Sequence, residues 1–301
     1  MRKLWQPGAI ALILVGIVSG CNLIAPSPPS RLPQIGREKP RVQPPTLKPG
    51  TREPVRSAIN NRNLLLGNPS NAVSSMASTD NYLMVKPQYV MSYNSKTKTA
   101  NWVSWQLNRS WIGTADRQDN FRPDDALPAA WYKVRPNDYT GSGYDRGHIA
   151  PSADRTRNEA DNSATFLMSN MMPQVPEVNR GVWGDLEEYC RELVQQGKEL
   201  YIIAGPVGRN GSIGRKEKIA VPAMNWKVIV VLDRQGLGMQ GVNANTRTIA
   251  VIMPNSGSVK GKGWKSFRVS VARVERETGL NFLSNVPPQV QQVIESKVDS
   301  Q

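Results

Sequence analysis

Nine of the 23 prolines in this 301-residue chain lie between residues 22 and 60, and their density limits where a domain can fold. Proline fixes one backbone angle and supplies no amide donor, so such a segment cannot form helix or sheet. The interspersed charges also leave too little apolar surface for a core. We therefore expect residues 22–60 to be an extended basic tether. The same pattern confines the predicted folded domain to residues 61–301.

The N-terminus has the pattern of an export signal. Arg2 and Lys3 precede an apolar run at residues 9–18 that is too short to cross a bilayer. The stretch 18–21, Val-Ser-Gly-Cys, resembles a bacterial lipobox, so residues 1–21 predict a signal peptide with lipid attached to Cys21. Ordinary cleavage near small residues is the alternative. We expect a periplasmic or extracellular protein, anchored to the outer face of a membrane if Cys21 is lipidated.

Composition narrows the class of partner and of scaffold. The formal net charge is +14, and half of it lies on residues 61–301. Such an excess favours polyanionic partners, which include nucleic acid, anionic membranes and acidic polysaccharides. Only Cys21 and Cys190 are present, so a disulfide scaffold is excluded.

Hydrophobic patterning predicts an α+β fold. Apolar runs with aromatic and β-branched residues predict strands at 82–92, 102–107, 199–204, 226–232 and 248–253. The polar stretch 94–99 predicts a hairpin turn between the first two. An apolar stripe predicts a helix at 180–196 that Gly197 ends, and paired prolines predict the start of a second helix at 288–296. Because strands and helices do not alternate regularly, we expect a mainly antiparallel central sheet flanked by helices.

His148 is the single histidine of the chain and lies in the stretch 143–151, Gly-Tyr-Asp-Arg-Gly-His-Ile-Ala-Pro. A lone histidine is more often a packed residue than a catalyst. However, Arg146 lies two positions earlier and can bind phosphate through its planar fork of donors. Zinc sites with two or three histidines are excluded. Acid–base chemistry that needs imidazole must use His148.

Three polar residues lie at the start of the predicted helix at 180–196 or within it: Asn179, Glu187 and Arg191. On a continuous helix Asn179 and Glu187 would lie about 80° apart around the axis and roughly 12 Å apart along it. One ion could not easily contact both, but the water shell of Mg²⁺ could bridge them. The alternative interpretation is an ion pair between Glu187 and Arg191 on a solvated face.

The spaced set of these residues resembles the sugar-non-specific DNA/RNA endonucleases of the ββα-metal superfamily. The similarity extends over most of residues 80–300 and includes the stretches 117–123 and 170–174. Its motif residues are Asp145, Arg146, Gly147, His148, Asn170, Asn179, Glu187 and Arg191. This resemblance implies a ββα-metal active-site motif, hydrolysis of DNA and RNA, and products that carry 5′-phosphates.

The resemblance also implies how the metal and the base act. His148 would be the general base that activates water. Asn179 would be the one protein ligand of a divalent metal, and Glu187 would orient the water ligands. The implied cofactor is Mg²⁺, with Mn²⁺ as an alternative, and no small-molecule cofactor is implied.

The remaining residues of the motif receive supporting roles from the same resemblance. Arg117 would stabilise charge on the phosphoryl group, and Arg146 and Arg191 would support the phosphate or the geometry of the site. Asn170 would help to hold the site together, and Asp145 would fix the loop rather than enter the reaction. DNA and RNA are the expected partners, and a dedicated inhibitor protein remains open.

Two other functions fit parts of the sequence. A lipoprotein that captures nucleic acid without cutting it would explain the charge and the tether, but not the set of His148, Asn179 and Glu187. An exported serine hydrolase could combine His148 with Ser142. However, Ser142 lacks a Gly-x-Ser-x-Gly elbow, because position 140 is threonine.

Overall fold

The computed structural model describes residues 61–216 and 218–301. The predicted signal peptide, the lipid site at Cys21 and the tether lie outside the described residues. Within the described ranges, no helix has both the length and the apolar character needed to cross a membrane.

The central feature is a seven-stranded sheet with the order β1-β2-β3-β6-β9-β10-β11, in which every neighbouring pair is antiparallel. Two smaller two-stranded sheets pair β4 with β5 and β7 with β8. The strands are β1 (Tyr82–Val85), β2 (Val90–Asn94), β3 (Thr99–Leu107), β4 (Asp145–His148), β5 (Met171–Gln174), β6 (Glu199–Val207), β7 (Ser212–Ile213), β8 (Ile219–Ala220), β9 (Met224–Leu232), β10 (Arg247–Pro254) and β11 (Arg268–Val269). The predicted antiparallel central sheet is therefore confirmed.

Within residues 61–216 and 218–301, four α-helices accompany these sheets. They are α1 (Glu159–Ala164), α2 (Trp183–Gln195), α3 (Val271–Thr278) and α4 (Pro288–Ser296). The prediction for α4 is confirmed at both ends, and Gly197 follows the end of α2 with a φ of +89°. A left-handed residue of this kind ends a helix readily when it is glycine.

Two of the predicted elements are interrupted, each for a local reason. The predicted strand at 82–92 is two strands, because Pro87 cannot donate to a ladder and the chain turns with Lys86 N–H donating to Tyr89 O at 3.0 Å. The predicted helix at 180–196 begins only at Trp183. A single π-type turn (Val178–Val182) precedes it, and Gly181 there leaves helical geometry, with φ −113° and ψ −118°.

The sheet separates two hydrophobic cores, because side chains along each strand alternate between its two faces. On β9, Ile229 and Val231 belong to the core that α2 covers, while Val228 and Val230 belong to the core that α3 and α4 cover. Successive strand side chains point to opposite faces, which is why one strand serves both cores. Each fully buried aliphatic side chain contributes about 1.5–3 kcal/mol.

The β4–β5 sheet and α2 together form a strand–strand–helix arrangement on the α2 side of the molecule. Gly147 on β4 lies opposite Met172, and the side chain of Gln174 occupies the space that a Cβ at position 147 would need. This close approach requires glycine at the third position of the Asp-Arg-Gly-His motif. The expected ββα arrangement is therefore present, and its first strand ends at His148.

We expect Gly205→Ala to destabilise the sheet. A Cβ at position 205 on β6 would press on the backbone carbonyl of Asn101 and approach the Trp226 ring at 3.1 Å. Overpacking against backbone costs about 1–3 kcal/mol, and urea unfolding measures it. Gly257→Ala is the matched control, because a Cβ there meets open space. Equal stability of the two variants would contradict this account of the sheet.

Candidate active site

The imidazole of His148 is enclosed by two phenylalanines. Its ring centroid lies 4.9 Å from that of Phe166 and 5.6 Å from that of Phe121. The residue is 9% exposed, and its Nε2 atom is buried without a hydrogen-bond partner among the described residues. The aromatic contacts thus orient the ring without an ionic partner.

This environment keeps the imidazole neutral. Burial lowers the pKa of His148 to about 3, and the positive charges of Arg117 and Arg146 act in the same direction. A charged imidazolium would lose its hydration there and face two like charges. At neutral pH the ring therefore has a free lone pair that can accept a proton.

Asn170 fixes the backbone that follows His148. Its Oδ1 accepts from Ala150 N at 3.0 Å, and its Nδ2 donates to the carbonyls of Ala150 at 2.8 Å and Thr165 at 2.9 Å. Its own carbonyl accepts from Ile149 N at 2.9 Å. Because the side chain is fully buried and occupied by main-chain groups, it holds the loop rather than facing substrate.

Arg117 and Arg146 line one cleft of about 400 Å³ together with Asn179. Arg117 donates from Nε to Asp119 at 2.7 Å and from Nη1 to Ser152 at 2.8 Å. Arg146 stacks on Phe121, with 4.1 Å between Cζ and the ring centroid. Both guanidinium groups are thus held in position beside His148 and keep further donors for an anion.

Asn179 is oriented by Asp145. Its Nδ2 donates to Asp145 Oδ2 at 2.9 Å, and Arg180 donates to both oxygens of the same carboxylate at 2.8 and 2.7 Å. Burial alone would raise the pKa of Asp145, but hydrogen bonds from Arg180 and Asn179 outweigh it and lower the pKa. An ionised carboxylate only accepts, so the amide nitrogen must face it and Oδ1 must point elsewhere.

The side-chain oxygen of Asn179, Oδ1, is a suitable ligand for a hard divalent cation. Mg²⁺ prefers oxygen ligands and keeps several of its waters. In the part of the chain that the structure describes, no group of three or more His, Cys, Asp or Glu side chains could hold a metal ion.

Glu187 and Arg191 do not form the ion pair that was considered as an alternative. The carboxylate of Glu187 lies 3.5 Å from Lys227 Nζ, and Arg191 donates to Asp154 at 3.2 Å. The side chain of Glu187 is only 14% exposed, so the solvated-face interpretation is wrong. Burial raises the pKa of Glu187 to about 7, against the opposing charge of Lys227.

The continuous-helix geometry assumed for Asn179 and Glu187 is also incorrect. Asn179 lies in the π-type turn and Glu187 in α2, with the non-helical Gly181 between them. The rotation and rise of a regular helix therefore do not relate the two side chains.

Several residues of the site were not identified as functional residues from the sequence. They contact the predicted site residues through ring packing, hydrogen bonds or ion pairs. They include Asp119, Phe121, Ser152, Asp154, Phe166 and Lys227. One signal was available, because Lys227 is the single charged residue of a mostly apolar strand.

Comparisons with known proteins agree with this geometry. A family model described as DNA/RNA non-specific endonuclease matches residues 66–289. A protein named nuclease from Nostoc sp. is 61% identical over 239 residues, which cover 79% of this chain and 86% of the relative. Human mitochondrial endonuclease G is 32% identical over 217 residues, which cover 68% of this chain and 70% of the relative.

A solved structure is also similar. It is a crystal structure of the EndoG/EndoGI complex that describes the mechanism of EndoG inhibition. The match has a TM-score of 0.66 and 25% identity, and it covers 83% of this chain and 100% of that chain.

We expect the burial of His148 to make the protein less stable in acid. The folded-state pKa of about 3 lies below the usual 6.5, so the unfolded chain binds the proton more readily. The stability that neutral His148 contributes is complete above pH 6.5 and is lost as the pH falls towards 3. Between pH 7 and pH 4, wild type should lose about 3 kcal/mol more than His148→Gln.

Urea unfolding at the two pH values measures this difference. Other buried acids, such as Glu187 and Glu295 with pKa values of about 7, titrate in both proteins and largely cancel in the comparison. Equal acid sensitivity of the two proteins would show that His148 is not buried as a neutral ring.

Proposed function

Because the chain belongs to the DNA/RNA non-specific endonuclease family, we propose that it is an exported, divalent-metal-dependent nuclease that hydrolyses phosphodiester bonds of DNA and RNA. The observation that carries this proposal is a neutral, buried His148 beside a cleft lined by Arg117, Arg146 and Asn179. The proposed products carry 5′-phosphates.

His148 serves as the general base. A neutral imidazole can take a proton from the attacking water near neutral pH, with a typical gain of ~10²–10⁴-fold. The low pKa of His148 keeps the ring in the accepting form throughout the physiological range. Packing against Phe121 and Phe166 fixes the direction from which the proton is accepted.

Arg117 and Arg146, which line the cleft, bind the scissile phosphate. Arg117 uses Nε and Nη1 for Asp119 and Ser152, which leaves its Nη2 donors for a phosphate oxygen. Arg146 stacks on Phe121 and offers its whole donor edge. Planar guanidinium groups hold a phosphate in a fixed orientation, which favours in-line attack.

Asn179 would hold the cation through Oδ1, and Asp145 fixes that oxygen by accepting from the amide nitrogen. When bound, Mg²⁺ or Mn²⁺ would neutralise charge on the phosphate and on the leaving oxygen. Glu187 would orient the water ligands of the cation, while Arg191 and Asn170 keep the surrounding loops in place. No small-molecule cofactor is part of the proposal.

The proposed contacts address the phosphate backbone rather than base edges. Such contacts carry no sequence information, so broad tolerance of DNA and RNA follows from them. Binding should weaken steeply as salt rises, because each neutralised phosphate releases counterions.

Two further parts of the proposal concern location and control. The signal pattern at residues 1–21 supports export to the periplasm or exterior, with lipid on Cys21 as the anchor to the outer face of a membrane. The similar EndoG structure is a complex with the inhibitor EndoGI. By analogy with that complex, we propose that an inhibitor protein can bind this chain.

The rival serine hydrolase receives no support from Ser142. Its hydroxyl donates to Tyr139 O at 2.7 Å and accepts from Tyr144 N at 3.2 Å. These bonds close a turn in the main chain, which is a structural use of serine.

Cleavage of supercoiled plasmid and of RNA by the purified protein tests the proposal. We expect degradation of both substrates with Mg²⁺ and none with chelator. His148→Ala should lower the rate by about 10²–10⁴-fold, and Asn179→Ala should also abolish the response to Mg²⁺. Ser142→Ala is the control and should retain cleavage.

The rival functions predict other results. Binding of nucleic acid without cleavage in every condition would favour the capture lipoprotein. Loss of activity in Ser142→Ala with full resistance to chelator would favour the serine hydrolase. Either result would overturn the nuclease proposal.

A further inference from the structure

Lys227 occupies a position where the fold calls for an apolar side chain. It lies on β9 in the central sheet, paired with Ala204 on one side and Val251 on the other. Strand alternation places it on the same face as Ile229 and Val231, beneath α2. Its side chain is only 1% exposed.

The surroundings of its ammonium group contain one carboxylate. Lys227 Nζ lies 3.5 Å from Glu187 Oε1, 4.1 Å from the centre of the Trp183 ring and 5.7 Å from that of Trp105. The rings stabilise the cation through their electron-rich faces. Glu187 is therefore the counter-ion of Lys227 among the described residues.

Stability of the fold does not account for this pair. Replacing a buried ion pair by apolar residues of similar volume is often neutral or stabilising, since desolvation cancels much of the attraction. A methionine would fill the space between Trp183 and Trp105 at no such cost. The buried charge therefore requires an explanation in the function of Glu187.

A second buried pair lies beside the first. Asp154 accepts from Arg191 at 3.2 Å and from Trp105 Nε1 at 2.9 Å. The charged groups that act on Glu187 are thus Lys227 on the sheet, Arg191 on its own helix and Asp154 on the loop after β4. Each carboxylate has one cation, so removal of Lys227 leaves Glu187 beside a like charge.

We propose that Lys227 is a positioning residue of the nuclease reaction, which holds the carboxylate of Glu187 in one place and favours its ionised form. This inference rests on the proposed function, in which Glu187 orients the water ligands of the cation. An ionised carboxylate only accepts hydrogen bonds, whereas a protonated one must donate through one of its oxygens. Lys227 thereby connects the central sheet to the metal site without contacting metal or substrate.

The first test compares Lys227→Met with wild type in the full chain. Outer-shell partners of metal sites typically contribute 10- to 100-fold, so kcat for plasmid cleavage should fall by about that factor. KM for DNA should change by less than about threefold, because the arginines of the cleft are untouched. Lys227→Arg keeps the charge and should restore part of kcat.

A pH profile provides a readout that a purely structural role would not move. Burial already raises the pKa of Glu187 to about 7, and Lys227 opposes that effect. Without Lys227 the neutral carboxyl is favoured further, also by the charge of Asp154. The acidic limb of the kcat profile of Lys227→Met should therefore move to higher pH by about one unit or more.

A double-mutant cycle with Glu187→Gln separates action through Glu187 from other effects. In the Glu187→Gln background, Lys227→Met should change kcat by less than about threefold. Lys198→Met, which removes a more exposed partner of Asp233, is the control and should leave every readout unchanged.

Calorimetric titration with Mg²⁺ alone gives a readout that needs no catalysis. We expect Lys227→Met to bind the metal about 10-fold or more weakly than wild type. Unchanged kcat, pH profile and Mg²⁺ affinity in Lys227→Met would overturn the inference, and so would losses that multiply in the double variant. If wild type fails to cleave, the proposed function is overturned. The role of Lys227 is tested separately, because equal Mg²⁺ affinities of wild type and Lys227→Met would overturn it.

Discussion

Desolvation is the constraint on which the active site depends. The same buried environment acts on His148 and Glu187 in opposite senses, because each neutral form is favoured when hydration is lost. For a histidine the neutral form is the base that the proposed reaction needs. For Glu187 the proposed reaction needs the ionised form, and the buried cation Lys227 opposes the effect of burial on its pKa. This difference accounts for two features of the described residues. Lys227 lies beside the carboxylate of Glu187, and no acidic side chain pairs with His148.

The fold meets this constraint because buried polar side chains of the site are already hydrogen-bonded to other groups of the protein. Asn170 uses its amide on main-chain groups after His148, and Asp145 uses its carboxylate on Asn179 and Arg180. Ser152 and Asp154 belong to one short turn (Ser152–Asp154) and hold Arg117 and Arg191, respectively. A turn four to six residues after His148 thus sets the positions of two arginines. Such preorganisation reduces the reorganisation needed during the reaction.

The sequence predicted those parts of the fold that depend on local periodicity. The strands at 199–204, 226–232 and 248–253 and the helix at 288–296 follow from alternation, apolar runs and paired prolines, and the structure confirms them. Boundaries failed where one residue overrides the pattern, as Pro87 does between β1 and β2 and Gly181 does before α2. Contacts such as Lys227 with Glu187 join residues 40 positions apart, and no local pattern reveals such a partner. The motif residues came from the family resemblance, whereas their supports could be found only from packing.

Carboxylates partly neutralise the arginines at the cleft, and the same ion pairs hold the guanidinium groups in place. Asp119 pairs with Arg117, and Asp145 pairs with Arg180, so these guanidinium groups are oriented but their attraction for phosphate is reduced. Arg146 differs, because within residues 61–216 and 218–301 it has no carboxylate partner and rests on the Phe121 ring. An aromatic face orients a guanidinium without neutralising it to the extent that a carboxylate does. Arg146 therefore keeps more of its attraction for phosphate than Arg117 and Arg180 do, although the charge of Asp145 also acts on it. The same phenylalanine contacts both Arg146 and His148.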